Sequence, residues 1–586
     1  MIRDGIDQDL VVKTIVGWWD DWKLARKAKE DKWEELIANY LVYIDEKRFD
    51  QWPWRCKVAD PFSQETADTI ASSLRNNLFP VNEDYFEVIG DDDRGKAHAA
   101  TMQDFMEQQL HRMRFIERLG PWTKQLTVIG NAPLLLGWKT QDVSRRFRTV
   151  VVDPATRERR TVTKDERQRR YDAPSVTGLD AFDVVFNPAV MTFEETPFIR
   201  RTLVPRDRLT HLYKDVDLSA LEETAKAKPT EASDQTKVAR ARIFGIDVAE
   251  VIPGQHDDPE TVEVLELHGD GVFDGERYDD HVMAVLNRKV LAKFERNPFW
   301  AGRPLVWGTY DDLWFTPFGK GPLEPVSGTQ QLIDTFSCQK ADILNLIING
   351  CFAYVDDGVI DPETLILRPR GGIEVANIGN LKELHPNQNV ALTYQEIEML
   401  RARGERSTGS SRFDMGQAPG GRRTAYEASI IRAGGSGRAM DVTKHLANDV
   451  LEYVLEFFLI SNQQMLWDQQ VLDNEALLGR YHVNYIGADL TAMRQFFLQQ
   501  GMMFLDMMGR YKPLADVANL PDLAEEIASY FHFRNKHVIK TRAQYQADLA
   551  KQQAQEQQAQ QQQAQQGPTM SPSPVNGDMA AAMAGA

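Results

Sequence analysis

Residues 405–427 read ERSTGSSRFDMGQAPGGRRTAYE, and the way this stretch is bracketed decides the architecture. As far as Gly421 it is loop by composition: glycines, serines and a proline leave it little tendency to form a helix. Arg422 and Arg423 then lead into Thr424-Ala425-Tyr426-Glu427. This is a capping box, in which the hydroxyl accepts from the third amide and the carboxylate reaches back. It launches a long helical region to about Trp467, with Gly434-Gly435-Ser436-Gly437 as a kink or break. Upstream of the loop, a second box, Thr393-Tyr394-Gln395-Glu396, predicts a helix through Ile397 and Leu400 to Gly404. Before it, Cys351 to about Asn389 reads as a compact strand-and-turn insert. Tyr354-Val355, Val359-Ile360, Leu365-Ile366-Leu367 and Ile373-Glu374-Val375 are separated there by Asp, Pro and Gly. Before that again, Leu332, Ile333, Phe336, Ile343, Leu344, Ile347 and Ile348 predict an amphipathic helix over Thr329–Asn349, stopped by Gly350.

Further outward, residues 8–48 read as helix, with Val11, Val12, Ile15, Trp18, Trp19 and Trp22 near helical spacing. The Trp18, Trp19, Trp22, Trp33 group reads as core or subunit-interface packing in preference to a ligand cage. Helices are expected again over 63–77 and 96–130, with Gly120-Pro121 as a joint. From about 133 to 310 the pattern turns to strands. Phe147–Val152 meets Thr161-Val162-Thr163 across Asp153-Pro154-Ala155-Thr156, and alternation continues over Thr261–His268 and His281–Phe294. Helices follow over 488–510 and 521–550. Between Gln546 and Gln566, 12 of 21 residues are Gln, and the chain past Gly567 has too little apolar mass to offset the entropy of ordering. The fold class expected is α+β.

Lys and Arg total 68 against 86 Asp and Glu, a formal charge of −18 over 586 residues. A surface that acidic does not gather phosphate backbones over a broad face. Against that background Arg145–Arg170 carries ten Arg or Lys and four acids, including Arg145, Arg146, Arg148, Arg159, Arg160, Arg169 and Arg170. It reads either as a solvated hairpin flank or as a docking patch for acidic partners or nucleic acid. Cys56, Cys338 and Cys351 form no C-x-x-C, which excludes a disulfide scaffold and a zinc ribbon. No stretch reaches 18 apolar residues and the N-terminus has no basic-then-apolar pattern, so no signal or membrane span is expected. Catalytic patterns are wanting too. There is no G-x-x-x-x-G-K-[ST] and no H-E-x-x-H, and Gly319-Lys320-Gly321-Pro322 reads as a turn, since Pro322 removes an amide donor. Asp91-Asp92-Asp93 reads as a solvated loop. No cofactor, no metal and no catalytic residues are expected.

Helix, small β insert, helix, glycine-rich loop, then a helix opening with Thr-Ala-x-Glu: this series resembles bacteriophage portal proteins, the head–tail connectors, especially those of short-tailed phages. The resemblance is strongest over 320–470. It implies a portal-type fold, with a β-rich wing over 1–326, stem helices at 327–350 and 390–404 around a small α/β clip at 351–389, and a tunnel loop at 405–423. A long kinked helix and wing return at 424–487, a helical crown at 488–550 and a Gln-rich tail at 551–586 complete it. It further implies a homo-dodecameric ring at the capsid vertex of the virion, through which double-stranded DNA is packaged and ejected. The partners implied are the large terminase, major capsid and scaffold proteins, and tail adaptors or head-completion proteins, with no membrane and no enzymatic activity of its own. On the resemblance, Arg406, Ser410, Arg412, Gln417, Arg422 and Arg423 lie on the channel loop, and Thr424, Ala425 and Glu427 start the helix behind it. The arginines would either touch phosphates transiently or pair with acids of adjoining subunits. Two other readings stay open: a capsid or tail component such as an adaptor or scaffold, and a DNA-processing enzyme.

Overall fold

A computed structural model describes residues 7–44, 55–80, 85–152, 159–205, 261–349 (except 274), 352–355, 377–383, 390–409, 438–467 and 474–487, with a few isolated positions besides. The helical crown and Gln-rich tail expected over 488–586 lie outside the described residues, as does most of the insert. What is described is α+β.

The N-terminal helix expected over 8–48 is two helices, α1 (Gln8–Ala25) and α2 (Lys27–Tyr40). Asp7 caps α1 by accepting from the amides of Asp9 and Leu10 at 3.1 and 3.2 Å. Val11, Val12, Ile15 and Trp19 form its buried stripe, each contributing about 1.5–3 kcal/mol by leaving water. The break falls at Arg26. Its fully buried guanidinium donates to Glu30 Oε1 at 2.7 Å and to the carbonyls of Ala181, Phe182 and Val184. Reaching those carbonyls takes its backbone to φ −95°, ψ 6°, out of regular helix geometry. The tryptophans divide between two cores. Trp19 lies with Ile199, Leu265 and Val285, whereas Trp33 packs edge-on against Phe182 and Phe318. Trp18 and Trp22 stack at 5.4 Å on the margin of the first core.

α3 (Phe62–Leu78) is followed by β1 (Phe86–Gly90) and α4 (Asp93–Met113). The Asp91–Asp93 run is not a free solvated loop. Asp92 N-caps α4, accepting from Gly95 N at 2.6 Å and from Arg480 N at 3.1 Å, and Asp91 meets His482 Nδ1 at 2.6 Å. The expected helix over 96–130 is interrupted by Arg114 in the left-handed region, φ 55°. A single turn, α5 (Phe115–Arg118), intervenes, and α6 (Gly120–Ile129) then starts at the expected Gly120-Pro121 joint.

Among the described residues the strands form four antiparallel sheets. The long hairpin of β2 (Asn131–Val152) and β3 (Arg159–Gly178) has Thr149 opposite Val162, the pairing expected from sequence. β4 (Val184–Phe186), β5 (Phe198–Pro205), β6 (Thr261–Phe273), β7 (Glu276–Leu286) and β8 (Val290–Arg296) form a five-stranded meander that α1 covers. The stretch His281–Phe294 is therefore two strands. Asn287 and Arg288, at φ 45° and 60°, are the left-handed central residues of a turn that Lys289 N closes on Leu286 O at 3.0 Å, within a three-residue loop between the paired Leu286 and Val290. β9 (Leu305–Thr309) pairs with the root of β2.

Next come α7 (Ser327–Asn349), β10 (Phe352–Tyr354), β11 (Leu381–Glu383) and α8 (Val390–Thr408). Residues 438–445 are helical, then Leu446–Leu451 is one stretch of π-helix, and α9 (Glu452–Met465) continues the rod. α10 (Asn474–Leu478) and β12 (Tyr481–Tyr485) close the described chain. β12 pairs with β1, Phe86 opposite Tyr485. That strand pair, α4, the π-segment, α9 and the root of β2 enclose the largest hydrophobic core.

Candidate functional site

α7 and α8 run antiparallel. Ile333 meets Ile397 and Leu400 in the core at one end, and the Lys340 ammonium sits 5.0 Å from the Tyr394 ring centroid further along. A strap of extended chain is laced onto α7 at regular intervals. Asp60 N donates to Asp334 Oδ1 at 2.7 Å, Cys338 Sγ donates to Val58 O at 3.2 Å, and Cys56 N donates to Asp342 Oδ1 at 2.7 Å. Arg401 of α8 clamps both oxygens of Asp60 at 2.6 Å. Gly404 lies so close to the Phe62 ring that a Cβ there would stand 2.4 Å from it. One half of the helical pair is thus firmly seated.

The other half is not covered. Leu346, Ile347 and Ile348 at the end of α7 and Leu392 near the start of α8 are exposed, Ile348 at 70%. In the described part of the insert Val355 and Ile378 are exposed as well, Ile378 at 85%. β10 and β11 pair in antiparallel fashion, Phe352 opposite Glu383, and among the described residues they form a sheet of two strands only.

α8 differs from expectation at both ends. It starts at Val390, so Thr393 lies inside it and is not its N-cap; Val390, Ala391 and Leu392 all tolerate helix geometry. It also runs on through Thr408, whose hydroxyl bonds back to the carbonyls of Gly404 and Glu405, and Gly409 at φ 74° ends it. Residues 405–408 are therefore helix and not loop. Arg406 is an exposed residue of α8, its Nε donating to Ala402 O at 3.3 Å. Ser410, Arg412, Gln417, Arg422, Arg423, Thr424, Ala425 and Glu427 lie outside the described residues. The residues flanking that segment come together, since Arg438 Nη1 donates to Ser407 O at 3.2 Å. Both line a cleft of about 290 Å³ with Tyr310, Asp311, Lys320 and Asp441. The Gly319–Gly321 turn forms one wall. Its glycines are explained by backbone contact, because a Cβ on Gly130 would fall 2.3 Å from Gly321 N.

Beside this cleft sits a cluster that sequence inspection missed. His445, the residue before the π-segment, has Nε2 3.2 Å from Asp312 Oδ2 and Nδ1 2.7 Å from Asp449 Oδ2, and Thr309 Oγ1 is 3.2 Å from Nε2. The bond to Asp312 raises the imidazole pKa above its ordinary 6.5 against the opposing effect of burial, and lowers that of Asp312. The three ligand atoms lie within 4.8 Å of one another. Both ring nitrogens are nevertheless taken by carboxylates on opposite edges, which suits a bound proton better than a cation. Asp449 was legible at the i+4 position; Asp312, far away in sequence, was not.

In the basic hairpin, Arg145, Arg146, Arg148, Arg169 and Arg170 are exposed. Arg146 pairs with Asp165 at 3.0 Å, and Arg169 with Asp172 at 2.8 Å and Asp142 at 3.8 Å. Arg159 and Arg160 lie in β3 opposite Val152 and Val151. Among the described residues no helix is long and apolar enough to cross a membrane. No known family model matches the chain, and no curated protein matches it. The fold and surface define a broad class: an α+β protein carrying a half-seated helical pair with an uncovered apolar end.

Proposed function

We propose that the chain is the subunit of a ring-shaped channel for double-stranded DNA, a portal-type head–tail connector without catalytic chemistry of its own. The observation that carries this reading is the uncovered end of the α7–α8 pair. Large apolar side chains on both helices and on the described part of the insert between them are exposed, and apolar side chains gathered at one end of an element mark interfaces. Identical neighbours around an axis cover the surface and the β10–β11 edges that are open among the described residues, without leaving an open filament end. The segment leaving α8 and returning near Arg438 becomes the channel loop. Its basic side chains, Arg412, Arg422 and Arg423, touch phosphates without reading sequence. The net charge of −18 keeps the wall from gripping a sliding duplex, because each lasting phosphate contact acts as a brake. Terminase and tail adaptors dock at the insert. Sedimentation velocity of the purified chain tests the reading: one large closed species supports it, and a monomer at all concentrations overturns it.

A further inference from the structure

The assembly reading leaves the β2–β3 ribbon without a role. β9 covers the second edge of β2 only from Asn131 to Leu135, and β3 is the outer strand of its sheet. From Leu136 onward the ribbon is therefore two strands with two open edges among the described residues. A lone two-stranded ribbon is marginal in water, and strands of this length call for something to lie against them. Its foot is buried on one face through Leu136 and Val176, and further out both faces are exposed, with Arg146 and Phe147 pointing to opposite sides and both open to solvent. At its foot, between α4 and β3, is a groove of about 400 Å³ lined by Gln108, Arg112, Arg169, Arg170, Tyr171 and Asp172. Arg112 and Arg170 have no carboxylate partner there among the described side chains; along the ribbon Arg145 stands opposite Glu166 and Arg148 opposite Thr163.

We propose that the β2–β3 ribbon and the groove at its foot dock an acidic, extended segment of another protein. Charge complementarity selects the occupant. Arg145–Arg170 holds six positive charges in excess, in a chain whose remainder then stands at −24. A second ribbon is repelled by like charge, so edge-to-edge pairing of two copies is blocked. A duplex is drawn to the ribbon but repelled by the body behind it, within a screening length of about 10 Å. It also has no backbone groups in register with a strand edge. An extended peptide has both: its N–H and C=O groups continue the sheet, and its alternate carboxylates meet the arginines. The groove admits a few of its side chains.

The test uses the full chain and a short labelled peptide of alternating Glu and Thr, followed by fluorescence anisotropy. A Gln–Thr peptide and a labelled DNA duplex serve as competitors of different chemistry. Arg145, Arg146 and Arg148 are exposed, so changing all three to Gln should leave the melting temperature unchanged; the Arg112→Gln, Arg170→Gln pair is a second, independent variant. The expected result is binding of the acidic peptide, weakened at least about tenfold in either variant and retained when the same arginines become Lys. Equal binding by wild type and both variants overturns the proposal, as does equal binding of the Gln–Thr peptide or no binding at all. Tighter binding of the duplex, lost in the same variants, reassigns the ribbon to nucleic acid. Loss of self-association without loss of peptide binding reassigns it to a second copy.

Discussion

Four residues carry physical decisions that can be read one at a time. Arg26 is buried with Glu30 and three backbone carbonyls, so removing it leaves the carbonyls without their donor and Glu30 with the Lys23 ammonium alone, 2.8 Å away. Arg26→Met is expected to cost roughly 2–4 kcal/mol in chemical denaturation; a loss below 1 kcal/mol would mean that Lys23 alone satisfies Glu30. Glycines give opposite signs at two sites. Gly17 sits in α1 with nothing within 4 Å of where a Cβ would stand, so Gly17→Ala should stabilise by about 0.5–1 kcal/mol. Gly130 has φ 78° and the backbone of Gly321 against it, so Gly130→Ala should destabilise by at least about 2 kcal/mol in the same measurement. Asp312 and Asp449 favour the protonated form of His445. Its folded pKa exceeds the ordinary 6.5, so its stabilisation is full below that value and is lost as pH rises through the folded one. Asp312, whose pKa is lowered, works in the other direction and loses its contribution in acid. His445→Gln should flatten the fall in melting temperature on the alkaline side of about pH 6.5, and parallel curves for both proteins would contradict the clamp. Little of this was legible in sequence, because burial of an arginine or approach of two distant backbones leaves no local pattern.

At the scale of elements, local chemistry was legible and long-range pairing was not. The stripe of α1, the Gly120-Pro121 start of α6 and the β2–β3 register follow from spacing and turn residues alone. The Asn287-Arg288 turn was missed because it uses no glycine, and β1 with β12 because its halves lie almost at opposite ends of the described chain. The π-segment at Leu446–Leu451 has no composition that separates it from ordinary helix. The stripe Leu332–Ile348 was read correctly as helix, but it serves two purposes. Ile333 is fully buried, so Ile333→Ala should cost about 2–5 kcal/mol in denaturation of the purified chain. Ile347 and Ile348 are exposed, so changing both to Ser should leave the dissociated subunit within about 0.5 kcal/mol of wild type while abolishing assembly. An equal loss of stability from both sites would make the far end of α7 ordinary core.

For the whole molecule, the decisive fact is that the described residues close their cores but leave one end of the α7–α8 pair bare. Composition excluded a disulfide scaffold; the shared root of the segment between Ser407 and Arg438 came only from the fold. Because those two residues already bond to each other, deleting residues 410–420 should leave assembly intact and impair DNA packaging or retention, read by assembly in a capsid extract; failure to assemble would place the segment in the subunit interface instead. The central claim is that identical subunits close around a hole. End-on electron-microscope class averages of the purified protein test it most directly. Closed rings with a central opening wide enough for a duplex are the predicted result, and particles of single-chain size without an axis would contradict it.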